Sequence, residues 1–180
     1  DHPPVMDDSV RLAIPEITER SPREAAKIMQ TWPVPKRVGV LELLNPSVRQ
    51  DLLAALPDPA REEVLAATSS ENRAQWIHNA TYAKETVGHL MEPPFAIFRP
   101  ETTIAAAIEE LRQLVKRAFI TYGFVTDPTG KLLGVVAMRE LALGSGEERL
   151  DQIMVKSPFF LDPKMSALDA MRAVVTRHFP

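Results

Sequence analysis

The stretch from Tyr82 to Pro94, which reads YAKETVGHLMEPP, lies between two different internal repeats. The residues before it repeat every 12 positions, and those after it repeat every 63 positions. Each kind of repeat builds its own supersecondary units, so a segment that ends one repeat and begins the other is typical of a domain junction. We therefore predict two modules with a hinge at Glu85 to Met91.

The composition narrows the class of protein before any motif is considered. The chain has 180 residues, of which 45% are apolar, so it is long enough for one or two compact domains. Its net charge of -3 argues against nucleic acid as a partner, because a phosphate-binding surface normally needs an excess of positive charge. The absence of cysteine excludes disulfides and thiolate metal sites.

The 12-residue repeat predicts an array of short helices. Each unit carries an arginine and two neighbouring apolar residues, and proline or serine breakers separate the units. A helix of about two turns cannot bury its apolar stripe alone, so the units are expected to stack around one shared core. We interpret the arginines as capping or packing on the preceding turn. They are Arg37, Arg49, Arg61 and Arg73, and the predicted core series are Val40, Leu52, Val64 and Trp76, and Leu41, Leu53, Leu65 and Ile77.

Two segments precede this array. Residues 1–20 are rich in proline and charge, and we predict that they form a loosely held lead-in. Ser21, Pro22 and Glu24 then supply an N-cap, a first-turn proline and an acid at the third helical position. Together these residues predict the start of a helix, which we expect to end near Gln30.

The 63-residue repeat predicts a second kind of module with the order β-α-β-β-α. In its first copy we expect a strand at 95–99, a helix after the N-cap Thr103, strands at 119–126 and 132–137 around a tight turn, and a helix at 138–143. The second copy reaches only its first helix, so its two central strands are expected beyond Pro180. The positions that superpose are Met91 with Met154, Pro100 with Pro163 and Ala107 with Ala170.

A family resemblance rests on these features together. Short proline-delimited helical units followed by Tyr-x-x-Glu-x-x-Gly-x-Leu-Met-x-Pro resemble the cytosolic N domain of the MgtE family of magnesium transporters, where it enters the CBS (cystathionine-β-synthase-like) domains. The resemblance implies an α+β fold, in which an all-α superhelical array precedes a CBS-type module and the start of a second, incomplete one. The implied domains are a lead-in at 1–20, the helical N domain at 21–81, the junction at 82–90, the first CBS motif at 91–152 and the start of the second at 153–180.

The resemblance also implies a function and partners. It implies a magnesium-sensing region that closes a transporter pore when divalent cations bridge acidic faces of the N and CBS domains. The expected partners are a second copy of the chain, paired through the CBS domains, and a transmembrane domain beyond Pro180. The expected location is the cytoplasmic side of the bacterial inner membrane.

Four acids are candidate Mg²⁺ ligands under this resemblance. Glu85 corresponds to the junction acid, and Asp51, Glu62 and Glu63 lie on N-domain helices that could face the junction. Mg²⁺ takes oxygen ligands and keeps much of its water, so one or two carboxylates suffice. Lys84, however, places a positive charge where a cation site favours a negative one. The alternative interpretation is that these acids are ordinary solvated helix charges.

A second hypothesis is a soluble N-CBS regulatory or adaptor protein that binds a protein partner or an adenine nucleotide. CBS pairs that bind adenine nucleotides carry a Ser or Thr followed three residues later by Asp. The matching positions are Ala137 and Glu140, which argues against nucleotide binding by the first copy. The sequence shows no cluster of nucleophile, base or zinc ligands, so we predict no enzyme activity, no catalytic residue and no small-molecule substrate.

Overall fold

The computed structural model describes residues 8–115 and 120–177, which form two compact units. The first unit contains the described residues up to Pro93 together with those from Leu161 onward, and the second is Pro94–Phe160. The predicted α+β fold is confirmed, with a helical first unit and a four-stranded sheet in the second. None of the described helices is long and apolar enough to cross a membrane.

The first unit begins with six short helices. Four of them start 12 residues apart, at Val34, Pro46, Asp58 and Ser70, which confirms the helical period. Prolines in the first turn favour the first three of these starts, because a helix leaves its first N–H groups unpaired in any case. The six helices are α1 (Asp8–Thr18), α2 (Pro22–Met29), α3 (Val34–Leu43), α4 (Pro46–Ala55), α5 (Asp58–Ala67) and α6 (Ser70–Asn79).

Helix α2 begins as predicted, with a complete capping box. The Ser21 side chain accepts a hydrogen bond from the Glu24 backbone N–H, and the Glu24 carboxylate accepts one from the Ser21 backbone N–H. Hydrogen bonds from the Ser21 hydroxyl and backbone lower the pKa of Glu24 from its ordinary value of 4.5. The carboxylate form of Glu24 is therefore the form that the cap stabilises.

The prediction of a loosely held lead-in is wrong for Asp8–Thr18, which form α1. Val10, Ala13 and Ile17 have the i, i+3, i+7 spacing of one helix face, and all three are buried in the core of the first unit. Pro15 lies inside this helix and is exposed to solvent, and the helix continues past it. Residues 1–7 of the predicted lead-in lie outside the described residues.

The two apolar series of the array have different fates. Val40, Leu52, Val64 and Trp76 are all at most 2% exposed, so this series is core as predicted. In the other series Leu41 and Leu53 are buried and Leu65 is half-buried. The core prediction is wrong for Ile77, which is 52% exposed because α6 is the last helix of the array.

The four arginines join consecutive helices, as the capping interpretation predicts. Each guanidinium donates to backbone carbonyls at the end of the preceding helix, where the last turn leaves carbonyls without helical partners. Arg49, for example, donates to Leu41 O at 2.7 Å and to Leu44 O at 2.9 Å. The other acceptors are the carbonyls of Trp32 and Gln30 for Arg37, Leu53 and Leu56 for Arg61, and Leu65 and Ala66 for Arg73.

The second unit is a sheet with the strand order β1-β2-β3-β4, packed against helices. Strands β1 and β2 are parallel, and the other neighbours are antiparallel. The first strand is shorter than predicted, and the predicted strand at 119–126 begins at Tyr122, with Phe119 outside the described residues. The elements are β1 (Ile97–Phe98), α7 (Ile104–Leu114), β2 (Tyr122–Thr126), β3 (Leu132–Ala137), α8 (Met138–Leu143), α9 (Leu150–Ile153) and β4 (Val155–Lys156).

The turn between β2 and β3 forms at 127–130, as predicted. The Asp127 carboxylate accepts hydrogen bonds from the Thr129 hydroxyl and from the backbone N–H groups of Thr129 and Lys131. These bonds, led by the one from the Thr129 hydroxyl, lower the pKa of Asp127. Gly130 closes the turn with φ 87°, a left-handed conformation that costs glycine little.

The 63-residue repeat reappears in the backbone hydrogen bonds, but with the chain segments exchanged. In the second unit, Ile104 N donates to Glu148 O at 2.9 Å; in the first unit, Ala167 N donates to Glu85 O at 2.7 Å. Ala167 lies 63 residues after Ile104, whereas Glu85 lies 63 residues before Glu148. Residues 85–90 therefore pair with the second copy of the repeat, and residues 148–153 pair with the first. The other matched bonds are Leu150 N to Thr102 O with Val87 N to Met165 O, and Asp151 N to Pro100 O with Gly88 N to Pro163 O.

The secondary structure of the two copies matches this exchange. A 3₁₀ helix at Val87–Leu90 corresponds to α9, and α10 (Ala167–Val175) corresponds to α7. Thr103 and Ser166, which are equivalent in the repeat, cap the two long helices with their hydroxyls. The stretch that separates the two sequence repeats is thus itself one element of the second repeat.

Candidate functional site

The four predicted magnesium ligands lie in the first unit, and two of them already pair with basic side chains. On α4, the Asp51 carboxylate accepts a hydrogen bond from Lys84 Nζ at 2.6 Å. On α5, Glu63 pairs with Arg37 at 3.1 Å. The structure therefore brings a cation to each of these acids, but the cation is a protein side chain.

Glu62 and Glu85 are exposed and differ from this pair. Within 8–115 and 120–177 neither carboxylate forms an ion pair. The Glu85 backbone has φ 64°, which is uncommon for a residue with a side chain, and its carbonyl accepts the Ala167 hydrogen bond. Over the same described residues, no group of three or more His, Asp or Glu side chains is arranged to hold a metal ion. The ligand assignment stays a prediction.

An ion pair that sequence reasoning missed joins the buried Arg49 on α4 to Glu92, two residues beyond the junction. The Arg49 guanidinium binds both carboxylate oxygens of Glu92 at 3.0 Å, and its side chain is only 3% exposed. The guanidinium carbon also lies 5.2 Å from the ring centroid of Trp76, within the range of a cation–π contact. Arg49 thus combines two carbonyl caps, a bidentate ion pair and an aromatic contact.

Two further hydrogen bonds hold the junction against α6. The Asn79 side chain is fully buried and donates from Nδ2 to Met91 O at 2.7 Å. His89 Nδ1 donates to Asn79 O at 3.2 Å, since a carbonyl oxygen only accepts. This contact gives His89 a hydrogen-bonding role in the structure. Together with Arg49 and Glu92, these bonds tie residues 89–92 to the helical array, and the first unit extends to Pro93.

The positions that correspond to a nucleotide-binding Ser and Asp lie at the start of α8. Ala137 is the N-cap of this helix and offers no side-chain hydrogen bond. The Glu140 carboxylate accepts a hydrogen bond from Arg139 Nε at 3.1 Å. Neither observation adds a group that would recognise a ribose.

The comparisons with known proteins agree with this architecture. Residues 87–144 match the family model described as the CBS domain. The crystal structure of the cytosolic domain of the Mg²⁺ channel MgtE in complex with ATP superposes with a TM-score of 0.73 at 27% sequence identity, covering 91% of this chain and 68% of that chain. This chain has the MgtE cytosolic fold.

Two other solved structures resemble this chain in fold at lower identity. The soluble part of a magnesium transporter gives a TM-score of 0.71 at 20% identity and covers 91% of this chain and 70% of that one. The CBS pair domain of a putative Mg²⁺ transporter from Shewanella oneidensis MR-1 gives 0.54 at 18% identity, covering 77% of this chain and 80% of that one. A comparison with curated protein sequences gives no match. The resemblance to the MgtE cytosolic region is confirmed.

Proposed function

We propose that this chain is the cytosolic regulatory region of an MgtE-like magnesium transporter and that it has no enzymatic role of its own. The observation that carries the proposal is the 27% identical MgtE structure, which covers 91% of this chain, helical array and CBS domain together. Because a fold alone hosts many functions, the proposal also needs a physical mechanism that this chain can perform.

The mechanism is electrostatic. Acidic side chains of the helical array and of the CBS module repel one another when divalent cations are scarce. Mg²⁺ bound between them screens this repulsion. It stabilises the closed arrangement by the difference between its binding free energies for the closed and the open arrangement. Glu62 and Glu85, whose carboxylates form no ion pair within the described ranges, are the acids most available to a cation.

Asp51 and Glu63 would contribute only after their ion pairs with basic side chains break. Lys84 is 72% exposed and Asp51 is 32% exposed, so their ion pair lies at the surface and is weak enough for a divalent cation to displace. Glu63 is 57% exposed, but its partner Arg37 is only 12% exposed and also donates to the carbonyls of Trp32 and Gln30. A cation would therefore have to draw Glu63 away from an arginine that stays in place. Lys84 should therefore lower the Mg²⁺ affinity of this region without abolishing it.

The proposal includes partners that complete the transporter. Ile97, Phe124, Val135 and Val155 form one register row across the sheet, and Ile97 and Val155 are 46% and 60% exposed. Such an apolar row favours pairing with a second sheet, as in a CBS pair and a homodimer built from it. A membrane-embedded pore on the same polypeptide, in a bacterial inner membrane, would be the element that the region gates.

Isothermal titration with Mg²⁺ tests the site. We expect saturable binding by the native chain and binding weaker by about tenfold in the Asp51→Ala, Glu85→Ala double variant, because each carboxylate contributes to a cation site. Lys84→Ala should strengthen binding, and Glu109→Ala, which removes a surface acid of the second unit, should leave it unchanged. Equal binding by the native chain and the double variant would remove the residue assignment, and no binding by the native chain would remove the sensing role.

A second candidate function is adenine-nucleotide binding, which is favoured by one observation. The 27% identical MgtE structure is a complex with ATP. Ala137 and Glu140 lack the hydroxyl and the short acid that would hold the nucleotide in the first CBS copy. Titration of the native chain with ATP shows whether it binds the nucleotide at all. If binding survives Glu140→Ala, the site must be formed by other residues.

A further inference from the structure

A cavity in the helical array is not explained by packing or by the proposed cation site. It has a volume of about 560 Å³ and lies among α4, α5, α6 and residues 80–89. This volume is within the range of small-molecule sites, which are mostly apolar with a few polar groups. Its wall includes Leu53, Leu65, Trp76 and Ile77 on the apolar side, and Arg61 and Lys84 on the polar side.

The apolar wall contains the residue at which the core series of the array ends. Ile77 is 52% exposed, and Leu65 of the preceding helix is only half-buried. Both residues line the cavity, whereas the equivalent Leu41 is fully buried in the core. The array therefore presents to the cavity the apolar surface that a further helix would otherwise cover.

The polar side of the cavity has cationic groups and no carboxylate. Arg61 and Lys84 line it, and no Asp or Glu belongs to the lining. Arg61 is held more loosely than Arg49 at the same offsets in the repeat. It lies 3.5 Å and 3.4 Å from the carbonyls of Leu53 and Leu56, where the corresponding distances from Arg49 are 2.7 Å and 2.9 Å.

The acid that pairs with Arg61 is exposed to solvent, so a ligand can compete with it for the guanidinium. Asp58, on the first turn of α5, is 84% exposed, so solvent screens its attraction for the guanidinium. A ligand carboxylate in a partly enclosed cavity is screened less than Asp58 and can bind the guanidinium in bidentate geometry.

Trp76 belongs to the apolar wall of the cavity, but its indole nitrogen does not face the open space. The indole Nε1 is inaccessible to solvent and forms no hydrogen bond with any described residue. Its N–H signal can therefore report a ligand that packs on the wall without being a partner of that ligand. Neighbouring polar groups are already fixed: Gln50 donates to Trp76 O at 3.2 Å, and Tyr82 contacts His78 at 3.3 Å.

We propose that this cavity binds a small organic carboxylate with an apolar body. The carboxylate binds Arg61, and the body packs against Leu65 and Ile77 beside the Trp76 ring. The site differs from the cation site in ligand charge, and none of the four candidate cation ligands lines it, although Lys84 lines the cavity and pairs with Asp51. It does not depend on the proposed transporter function. It adds a small-molecule ligand that the sequence does not indicate.

The test uses 4-ethylbenzoate as the probe and the indole ¹H–¹⁵N signals as the readout. The chain has two tryptophans, so Trp32→Phe assigns the remaining indole signal to Trp76. We expect a saturable shift of the Trp76 signal with 4-ethylbenzoate. The neutral 4-ethylbenzamide and inorganic phosphate should each bind at least about tenfold more weakly, because one lacks the charge and the other lacks the apolar body.

Two variants separate the site from general stability. Arg61→Gln should remove the preference for the acid over the amide, and Ile77→Ser should weaken binding of both. Arg73→Gln is the matched control, because it removes the next capping arginine of the array, which does not line the cavity. No saturable shift up to about 10 mM, equal binding of acid and amide by the native chain, or retention of the preference in Arg61→Gln would each overturn the proposal.

Discussion

The helical array and the 63-residue repeat are both periodic, but different chemical groups maintain them. In the array, arginine side chains bond the carbonyls of the preceding helix. In the longer repeat, backbone N–H groups bond backbone carbonyls, and the side chains at equivalent positions are free to differ, as at Gly88 and Asp151. The difference teaches that one side-chain substitution can disconnect the array, whereas the longer repeat is sensitive to changes that affect its backbone.

The largest effect should come from Arg49→Ala. It removes two carbonyl caps, the Glu92 ion pair and the Trp76 contact together. We expect the free energy of unfolding to fall by about 3 kcal/mol, toward the lower end for a buried pair because Glu92 is half-exposed. Urea denaturation measures it. Arg61→Ala, with longer bonds at the same offsets, should cost under about 1 kcal/mol. Equal losses in the two variants would contradict the assigned role of the Arg49 contacts.

Gly88→Ala should have the next largest effect, because it tests the backbone of the longer repeat. A Cβ at position 88 would lie 2.5 Å from the Tyr82 ring, so the ring or the backbone that donates to Pro163 must move. We expect a loss of about 1–3 kcal/mol in the free energy of unfolding. Gly146→Ala is the control, since its Cβ would meet Ala105 at an ordinary 3.5 Å. Replacing Tyr82 by Ala in the Gly88→Ala background should recover part of the loss.

Ala167→Pro should have a smaller effect and removes one of the hydrogen bonds that occur in both copies of the 63-residue repeat. Ala167 is the first residue of α10, where proline is tolerated, and Ser166 before it has ψ 146°, which suits a residue that precedes proline. The variant loses the N–H that bonds Glu85 O, and the proline ring carbon in place of the hydrogen forces this carbonyl to move. The expected cost is about 1–2 kcal/mol. Ala167→Ser keeps the N–H and should be nearly neutral. If both variants have the same urea midpoint of unfolding as the native chain, the bond does not stabilise the repeat.

The smallest effect is the pH dependence of the α2 cap. The Ser21 hydrogen bonds lower the pKa of Glu24 in the folded chain. Its contribution to stability is therefore present above the ordinary value of 4.5 and is lost as the pH falls through the lower folded pKa. An NMR titration of the Glu24 carboxyl carbon should show the lowered pKa, and Ser21→Ala should return it toward the ordinary value. An unchanged pKa in Ser21→Ala would show that the cap does not hold the charge.

Most of the array could be predicted because the same 12-residue pattern of arginine, apolar pair and breaker recurs along it. Helix α1 was missed because proline and charge disguise its apolar face, and Ile77 was misplaced because its series cannot show where the stack ends. Strand β4 was missed because two residues carry no periodicity, and only its pairing with Gly134 and Val135 defines it.

The candidate site could be predicted only in part. The positive charge of Lys84 was expected to disfavour a bound cation, and in the structure Lys84 forms an ion pair with Asp51. Nothing in the 12-residue register distinguishes Arg49 from the other arginines, because its distinction arises from Glu92, 43 residues away. The cavity was also invisible, since its walls come from three helices and the junction.

The exchanged pairing of the two repeat copies has a consequence for biosynthesis. Translation delivers Pro94–Phe160 before the residues with which Glu85, Val87 and Gly88 pair. The sheet unit can complete its own bonds while the ribosome is still adding that segment, and once folded it shortens the flexible loop that must close. The helical unit is thus begun first and finished last, with the CBS module folding in between as an inserted domain.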